Sequence, residues 1–240
     1  MKMQAVILAG GKGTRLRPYT NVLPKPLMPV GDMPILEVII KQLKFFGTDR
    51  VIIAVGHLHH MIESFFKNGE EYGIDIQYSL ENEPLGTAGP LGLILDNLDE
   101  HFLVINGDLL TDINFRNVFD SHINNGADAT LATFERTLEI DFGVVETNDD
   151  SELIDYKEKP LSTYTVSMGI NVLKKSSIIP ILGNNQYIDI PDVMTELLKQ
   201  GKKVHCYNEE CSWLDIGRID DYKEAVNIFE EKKNIFLPKK

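Results

Sequence analysis

Two hydrophobic periods alternate along the first half of the chain. Residues 3–8 (MQAVIL) are an almost unbroken apolar run, as expected of a short buried strand. Over residues 34–46, Ile35, Leu36, Ile39, Ile40, Leu43 and Phe46 recur at helical spacing, and Gly47 closes the run. VIIAV at 51–55 predicts a second buried strand, residues 57–67 a helix, and IDIQYS at 74–79 another strand. GTAGPLGLILDN predicts the start of a further helix, and FLVIN at 102–106 a strand ending in Gly107-Asp108. Strand and helix in alternation predict an α/β fold with a doubly wound, mostly parallel, Rossmann-like sheet.

The second half has a different pattern. ATLATFE at 129–135, GVVETN at 143–148 and VSMGINVL at 166–173 read as strands with few helices between them. They predict a smaller β-rich subregion, inserted or appended, that closes over the C-terminal edge of the sheet. Helices near 190–200 and 219–233 follow, the last with Tyr222, Ala225, Val226 and Phe229 as its apolar stripe. No internal repeat or linker interrupts the 240 residues, so a single domain is expected.

Charge sharpens the picture. The formal net charge is −12, which repels nucleic acid and anionic lipid at long range. An anionic small molecule would then need a local cluster of cations. Cys206 and Cys211 read as two ordinary thiols, in keeping with a reducing cytosol. No signal-peptide pattern opens the chain, and no apolar run approaches the roughly 20 residues of a membrane span. A cytoplasmic protein with no membrane or nucleic-acid partner is expected.

The cations cluster in LAGGKGTRL at 8–16 and just beyond it. Gly10, Gly11 and Gly13 let backbone N–H groups approach a phosphate, while Lys12, Arg15 and Arg17 add positive charge. The segment follows a strand, where open α/β sheets bind ligands. It lacks the Walker pattern GxxxxGK[ST]. It also lacks the dinucleotide pattern GxGxxG, because Leu16 stands where the third glycine belongs. Lys25, between two prolines, reads as a positioned phosphate ligand. Asp108 in NGD and Asp215 in WLDIGR are a candidate carboxylate pair for Mg²⁺, if they meet across the sheet edge. Glu158-Lys159-Pro160 offers an acid for sugar hydroxyls and an ammonium for a phosphate. His57, His59 and His60 start a predicted helix; with no carboxylate or cysteine at a suitable spacing, a zinc site is not expected there.

In this order the segments resemble the sugar-1-phosphate nucleotidyltransferases, or NDP-sugar pyrophosphorylases. The resemblance runs from LAGGKGTRLRPYT and PKPLMPVGDMPILE through EPLGTAGPL, NGD, FGVVE, EKP and WLDIGR. It is nearest to the mannose-1-phosphate and nonulosonic-acid guanylyltransferase branches. It implies that an NTP and a sugar 1-phosphate are the substrates and Mg²⁺ the cofactor. Residues 1–125 would form the nucleotide-binding part, and residues 126–240 the sugar-binding part with the C-terminal helices. Leu8, Gly10, Gly11, Gly13 and Thr14 would cradle the nucleotide, and Gly86 and Thr87 would flank base and ribose. Arg15 would hold the β and γ phosphates, and Lys25 the α phosphate. Gly143, Glu158, Lys159 and Asn171 would hold the sugar phosphate, and Asp108 and Asp215 the metal. Asn171 and Met168 depart from the residues usual in that strand, which leaves the sugar open. The chain carries no appended β-helix or regulatory domain, so control through one is not expected. Relatives of this kind are often dimers or tetramers, so a homo-oligomer is compatible.

The base is a separate question. Glu81 and Glu83 precede the loop expected to face it. Guanine presents two adjacent donors that one carboxylate accepts together, which points to GTP. Solvation of both glutamates is the equal alternative, with UTP, dTTP or CTP as the nucleotide. A non-catalytic nucleotide-sugar-binding protein is the reading from another class. A nicotinamide oxidoreductase is disfavoured by the failed fingerprint.

Overall fold

The computed structural model describes residues 2–183 and 185–237. The first half runs β1 (Met3–Ala9), β2 (Pro29–Val30), β3 (Met33–Pro34), α1 (Ile35–Phe45), β4 (Thr48–Val55), α2 (His59–Phe66) and β5 (Asp75–Leu80). It continues with α3 (Gly89–Gly92), β6 (His101–Asn106), β7 (Leu109–Thr111) and α4 (Phe115–Asn125). The second half holds β8 (Ala129–Glu139), β9 (Val144–Thr147), β10 (Leu153–Lys157), β11 (Leu161–Lys174) and α5 (Lys175–Ile178). It ends with α6 (Ile190–Lys199), β12 (Val204–Asn208), β13 (Trp213–Asp215) and α7 (Ile219–Phe236).

Seven strands form one mixed sheet in the order β12-β8-β11-β6-β1-β4-β5. β1 pairs in parallel with β4 and β6, β4 with β5, and β8 with β12. Only β11 runs against its neighbours β6 and β8. The chain steps from β1 to β4 to β5, then crosses back to β6 on the other side of β1. That reversal opens a crevice at the carboxyl ends of β1 and β6.

Side chains alternate across the sheet into two cores. Ala5, Ile7, Ile53 and Leu103 pack with α1, α4 and α7 through Ile39, Phe119 and Phe229. Val6, Ile52, Phe102 and Val104 pack against α3 and α6 through Leu91, Val193 and Leu197. Each buried Val, Leu, Ile or Phe among them contributes about 1.5–3 kcal/mol, so the central strands hold their ends firmly.

The α/β alternation, the first strands and the helices of residues 34–46, 57–67, 190–200 and 219–233 stand where the pattern placed them. One expectation changes, one is refined, and one helix carried none. The helix expected from GTAGPLGLILDN is one short turn, α3, followed by a 3₁₀ turn at Leu95–Asn97. Its glycines disfavour helix, and Gly92 packs against the Gly183 carbonyl. The β-rich subregion is continuous with the main sheet: the inner parts of β8 and β11 complete that sheet, and their outer parts extend beyond it with β9 and β10. Helix α4 had no expectation, although Asn114 caps it by accepting from the Arg116 and Asn117 amides.

The outer parts of β8 and β11 run past the carboxyl edge as a two-stranded arm, pairing Leu161–Ser167 with Thr133–Glu139. The register shifts between Ser167 and Asn171, where Gly169 has φ 73°. This bulge bends β11 at the point where it leaves the sheet, a backbone state that a side chain would oppose. The arm carries the β9–β10 hairpin at its end.

Candidate active site

A cavity of about 850 Å³ opens at the carboxyl ends of β1, β4, β5 and β6. Leu8, Gly10, Gly11, Lys12, Gly13, Thr14 and Arg15 form one wall, and Glu81, Glu83, Gly86 and Thr87 another. Lys25 and Asp108 line it as well, while Arg17 is not among the lining residues. Asn106, Tyr187 and Asp189 also line it and carried no expectation. Asp189 accepts from the Thr87 amide at 2.8 Å and from its hydroxyl at 3.0 Å. The capping pattern Asp189–Asp192 ahead of α6 was its one signal in the sequence.

Glu81 and Glu83 are equivalent in sequence and different in space. Glu83 is exposed. The Glu81 carboxylate lies over Gly10, so close that a Cβ there would stand 1.8 Å from its Oε1. Its other oxygen accepts from the Leu85 amide at 3.3 Å. Burial holds the Glu81 carboxyl above the usual carboxylate range, with the Leu85 amide pulling the other way. A side chain at position 10 would therefore have to displace the Glu81 carboxylate.

Asp108 and Asp215 do meet. The short strands β7 and β13 pair antiparallel, with Asp215 opposite Leu109, and the Ile216 amide donates to the Asp108 carbonyl at 3.3 Å. Burial and the negative charge of Asp108 raise the Asp215 carboxyl above its ordinary range, while Lys25 and Arg15 oppose the rise. Lys25 forms an ion pair with Asp108, and its side chain is only 11% exposed. Two carboxylates that repel each other are oxygen donors of the kind a hard divalent ion takes, and an ion there would have to displace Lys25 from Asp108.

The sugar-side candidates stand apart from this cavity lining. Gly143 and Glu158 lie together on the hairpin, Gly143 against the Tyr156 hydroxyl and Tyr156 donating to Glu158 Oε2 at 3.0 Å. Lys159 is exposed, with φ 45°. Asn171 lies inside the sheet, 3% exposed, and its Oδ1 has no hydrogen-bond partner among the described residues. It is outside the cavity lining, and its register opposite Val104 sets it two residue pairs deeper than the Gly169 bend. The ground for excluding zinc there changes: Glu63, one helical turn beyond His59, does lie at a suitable spacing, 3.0 Å from its Nδ1. The missed signal was the i, i+4 spacing.

A crevice at the switch of a parallel sheet, walled by a glycine loop, cations and paired acids, defines an α/β protein of the phosphate-handling class. A sequence profile of the family described as "Nucleotidyl transferase" matches residues 4–232, and the chain belongs to that family. It is 36% identical to a D-glycero-alpha-D-manno-heptose 1-phosphate guanylyltransferase of Aneurinibacillus thermoaerophilus, over 93% of this chain and 96% of that protein. It is 33% identical to a UTP–glucose-1-phosphate uridylyltransferase of Synechocystis sp., covering 98% of this chain. The chain spans 66% of the length of that cyanobacterial protein. Its fold matches a UDP-glucose pyrophosphorylase crystallised with UDP-glucose at a TM-score of 0.76 and 22% identity, over 97% of this chain and all of that one. Among the described residues no helix is long and apolar enough to cross a membrane.

Proposed function

We propose that this chain joins an NTP to a sugar 1-phosphate, releasing pyrophosphate and an NDP-sugar. The observation that carries the reading is the convergence of Arg15, Lys25, Asp108 and Asp215 beside the glycine loop in an otherwise acidic chain. The heptose and glucose 1-phosphate relatives support it.

In the reaction an oxygen of the sugar phosphate attacks the α phosphorus. The new bond forms as the bond to the bridging oxygen of the β phosphate breaks, and the electron pair leaves with pyrophosphate. The nucleophile is already an anion, so no general base is required. The barrier lies in bringing two polyanions together: at about 4 Å two unit charges repel by about 4 kcal/mol at an effective dielectric near 20. Positioned cations offset this, as in other phosphoryl transfers. Arg15 holds the leaving phosphates, Lys25 the α phosphate, and Lys159 the incoming sugar phosphate. Asp108 and Asp215 would hold Mg²⁺, which when bound neutralises phosphate charge. Lys25, paired to Asp108 in the structure, lies within reach of both the metal ligands and the cavity.

The nucleotide proposed is GTP, with Glu81 as reader. Of the two candidate glutamates, Glu81 is the half-buried one, and it is fixed against the loop that lines the cavity. The heptose relative is named as a guanylyltransferase and the Synechocystis relative as a uridylyltransferase, so the base is a matter for assay. Pyrophosphate release with GTP, UTP, dTTP and CTP, each paired with mannose, heptose, glucose and glucosamine 1-phosphates, tests both parts. No release with any pair would end the reaction proposal; preference for UTP or dTTP would end the guanine proposal alone.

A further inference from the structure

The histidines at the start of α2 have no part in the reaction proposed above. His59, His60 and Glu63 each place one potential ligand atom within 4.8 Å of the others. Successive residues on a helix point roughly 100° apart. Even so, the His59 and His60 rings stand with centroids 3.7 Å apart, and His59 Nδ1 is 3.0 Å from Glu63 Oε1. Three donors thus turn toward one point on the helix surface. We propose that His59, His60 and Glu63 bind a divalent transition-metal ion of the zinc class.

The donor set selects the ion. Two imidazoles and a carboxylate make a three-ligand site with an open fourth position, as zinc accepts. Imidazole suits zinc, copper and nickel, whereas magnesium prefers an all-oxygen set. The site therefore differs in chemistry from the Asp108–Asp215 pair. His59 also lines the cavity, so the ion would stand at its wall. The alternative is an ordinary His–Glu pair one turn apart, contributing about 0.2–0.5 kcal/mol, beside a solvated His60. That account predicts no metal binding specific to these residues.

Titration of the metal-free full chain with Co²⁺, followed by visible absorption, tests the proposal. No nucleotide is present, so the outcome is independent of the proposed reaction. The expected result is one saturable site whose spectrum reports low coordination, displaced by Zn²⁺ and not by millimolar Mg²⁺. His60→Ala and Glu63→Gln change exposed or half-exposed side chains, so folding is retained. Loss of an outer-shell partner alone costs about 10–100-fold in affinity, so loss of a ligand here should weaken Co²⁺ by about tenfold or more. Unchanged affinity in both variants overturns the site. So does displacement by Mg²⁺ equal to that by Zn²⁺, or loss of the spectrum in Cys206→Ala, which would assign the ion to the exposed thiol.

Discussion

Lys25 and Lys159 each stand beside proline, and both belong to segments beyond the carboxyl edge of the sheet. Their surroundings are opposite. Lys25 sits in a 3₁₀ turn with buried prolines on both sides, nearly enclosed and ion-paired to Asp108. Lys159 is exposed at the end of the β9–β10 hairpin, on an arm whose strands Val144–Thr147 and Leu153–Lys157 present mostly exposed side chains. The cavity edge is preorganised by the ends of strands buried on both faces. The arm has two strands and little core, the kind of element that opens at low cost. The comparison suggests a division of labour: a fixed floor that accepts the nucleotide and an adaptable arm that brings the sugar phosphate.

The largest effect is expected on the fixed side. Arg15 is exposed at the cavity wall, so Arg15→Ala should fold normally. Removing one preorganised donor from a developing negative charge costs about 10²–10³ in kcat. Pyrophosphate release should fall by that factor with an unchanged melting temperature. A fall of less than about threefold would remove Arg15 from the proposed role and with it the contrast between floor and arm, since donors of this kind are worth far more.

The seam between the two regions gives the next effect. His122 on α4 is fully buried, 2.9 Å from His101 on β6 and 3.0 Å from Thr130 on β8. It thus joins a strand of the parallel half to the strand that begins the arm. Burial, and then His101 beside it, push the imidazole down to about 4. The unfolded chain, with the ordinary value near 6.5, takes up the proton first. Stability from the neutral ring is therefore complete above about pH 6.5 and is lost as the pH falls toward 4, by up to about 2–3 kcal/mol. Denaturant midpoints between pH 8 and 4 should show this loss, and His122→Gln should flatten it. Equal slopes in both proteins would mean that acid acts elsewhere.

Glu81 sharpens the floor itself. Glutamine keeps the shape and replaces one acceptor oxygen with a donor. A hydrogen bond to a charged group is worth about 1.5–3 kcal/mol, so Glu81→Gln should lower kcat/KM for GTP by about 10–100-fold. It should lower UTP use far less. An equal loss with both nucleotides would assign Glu81 to holding Gly10 and Leu85 in place, with no part in reading the base.

How much of this was legible in the sequence follows the same divide. The floor is built from local periodicity: MQAVIL, VIIAV and FLVIN are runs long and apolar enough to name as strands, and the glycine loop follows one of them directly. The seam and the arm depend on pairings between distant residues. Asp108 and Asp215 meet through β7 and β13, three-residue strands too short to show a period. The strand β12 closes the sheet edge beside β8, though its five residues carry no alternation strong enough to mark them. Asn171 shows the limit from the other side. The family resemblance gave it a role at the sugar phosphate, and its burial opposite Val104 is a feature that only pairing could reveal.

The smallest effect belongs to the arm. A solvated ammonium on a two-stranded element makes a screened contact, so the phosphate it meets gains less from it than from an enclosed lysine. Lys159→Ala should raise KM for the sugar 1-phosphate by about tenfold, near 1.4 kcal/mol, and leave KM for GTP within error. The loss should shrink as salt rises from 50 to 500 mM, because the contact is open to ions at every stage of binding. If the arm instead closes and buries Lys159 in the ternary complex, the loss will appear in kcat and resist salt. A KM effect that fades with salt keeps the open arm distinct from the fixed floor. A salt-insensitive kcat effect makes the arm a lid that becomes part of the floor once both substrates are bound.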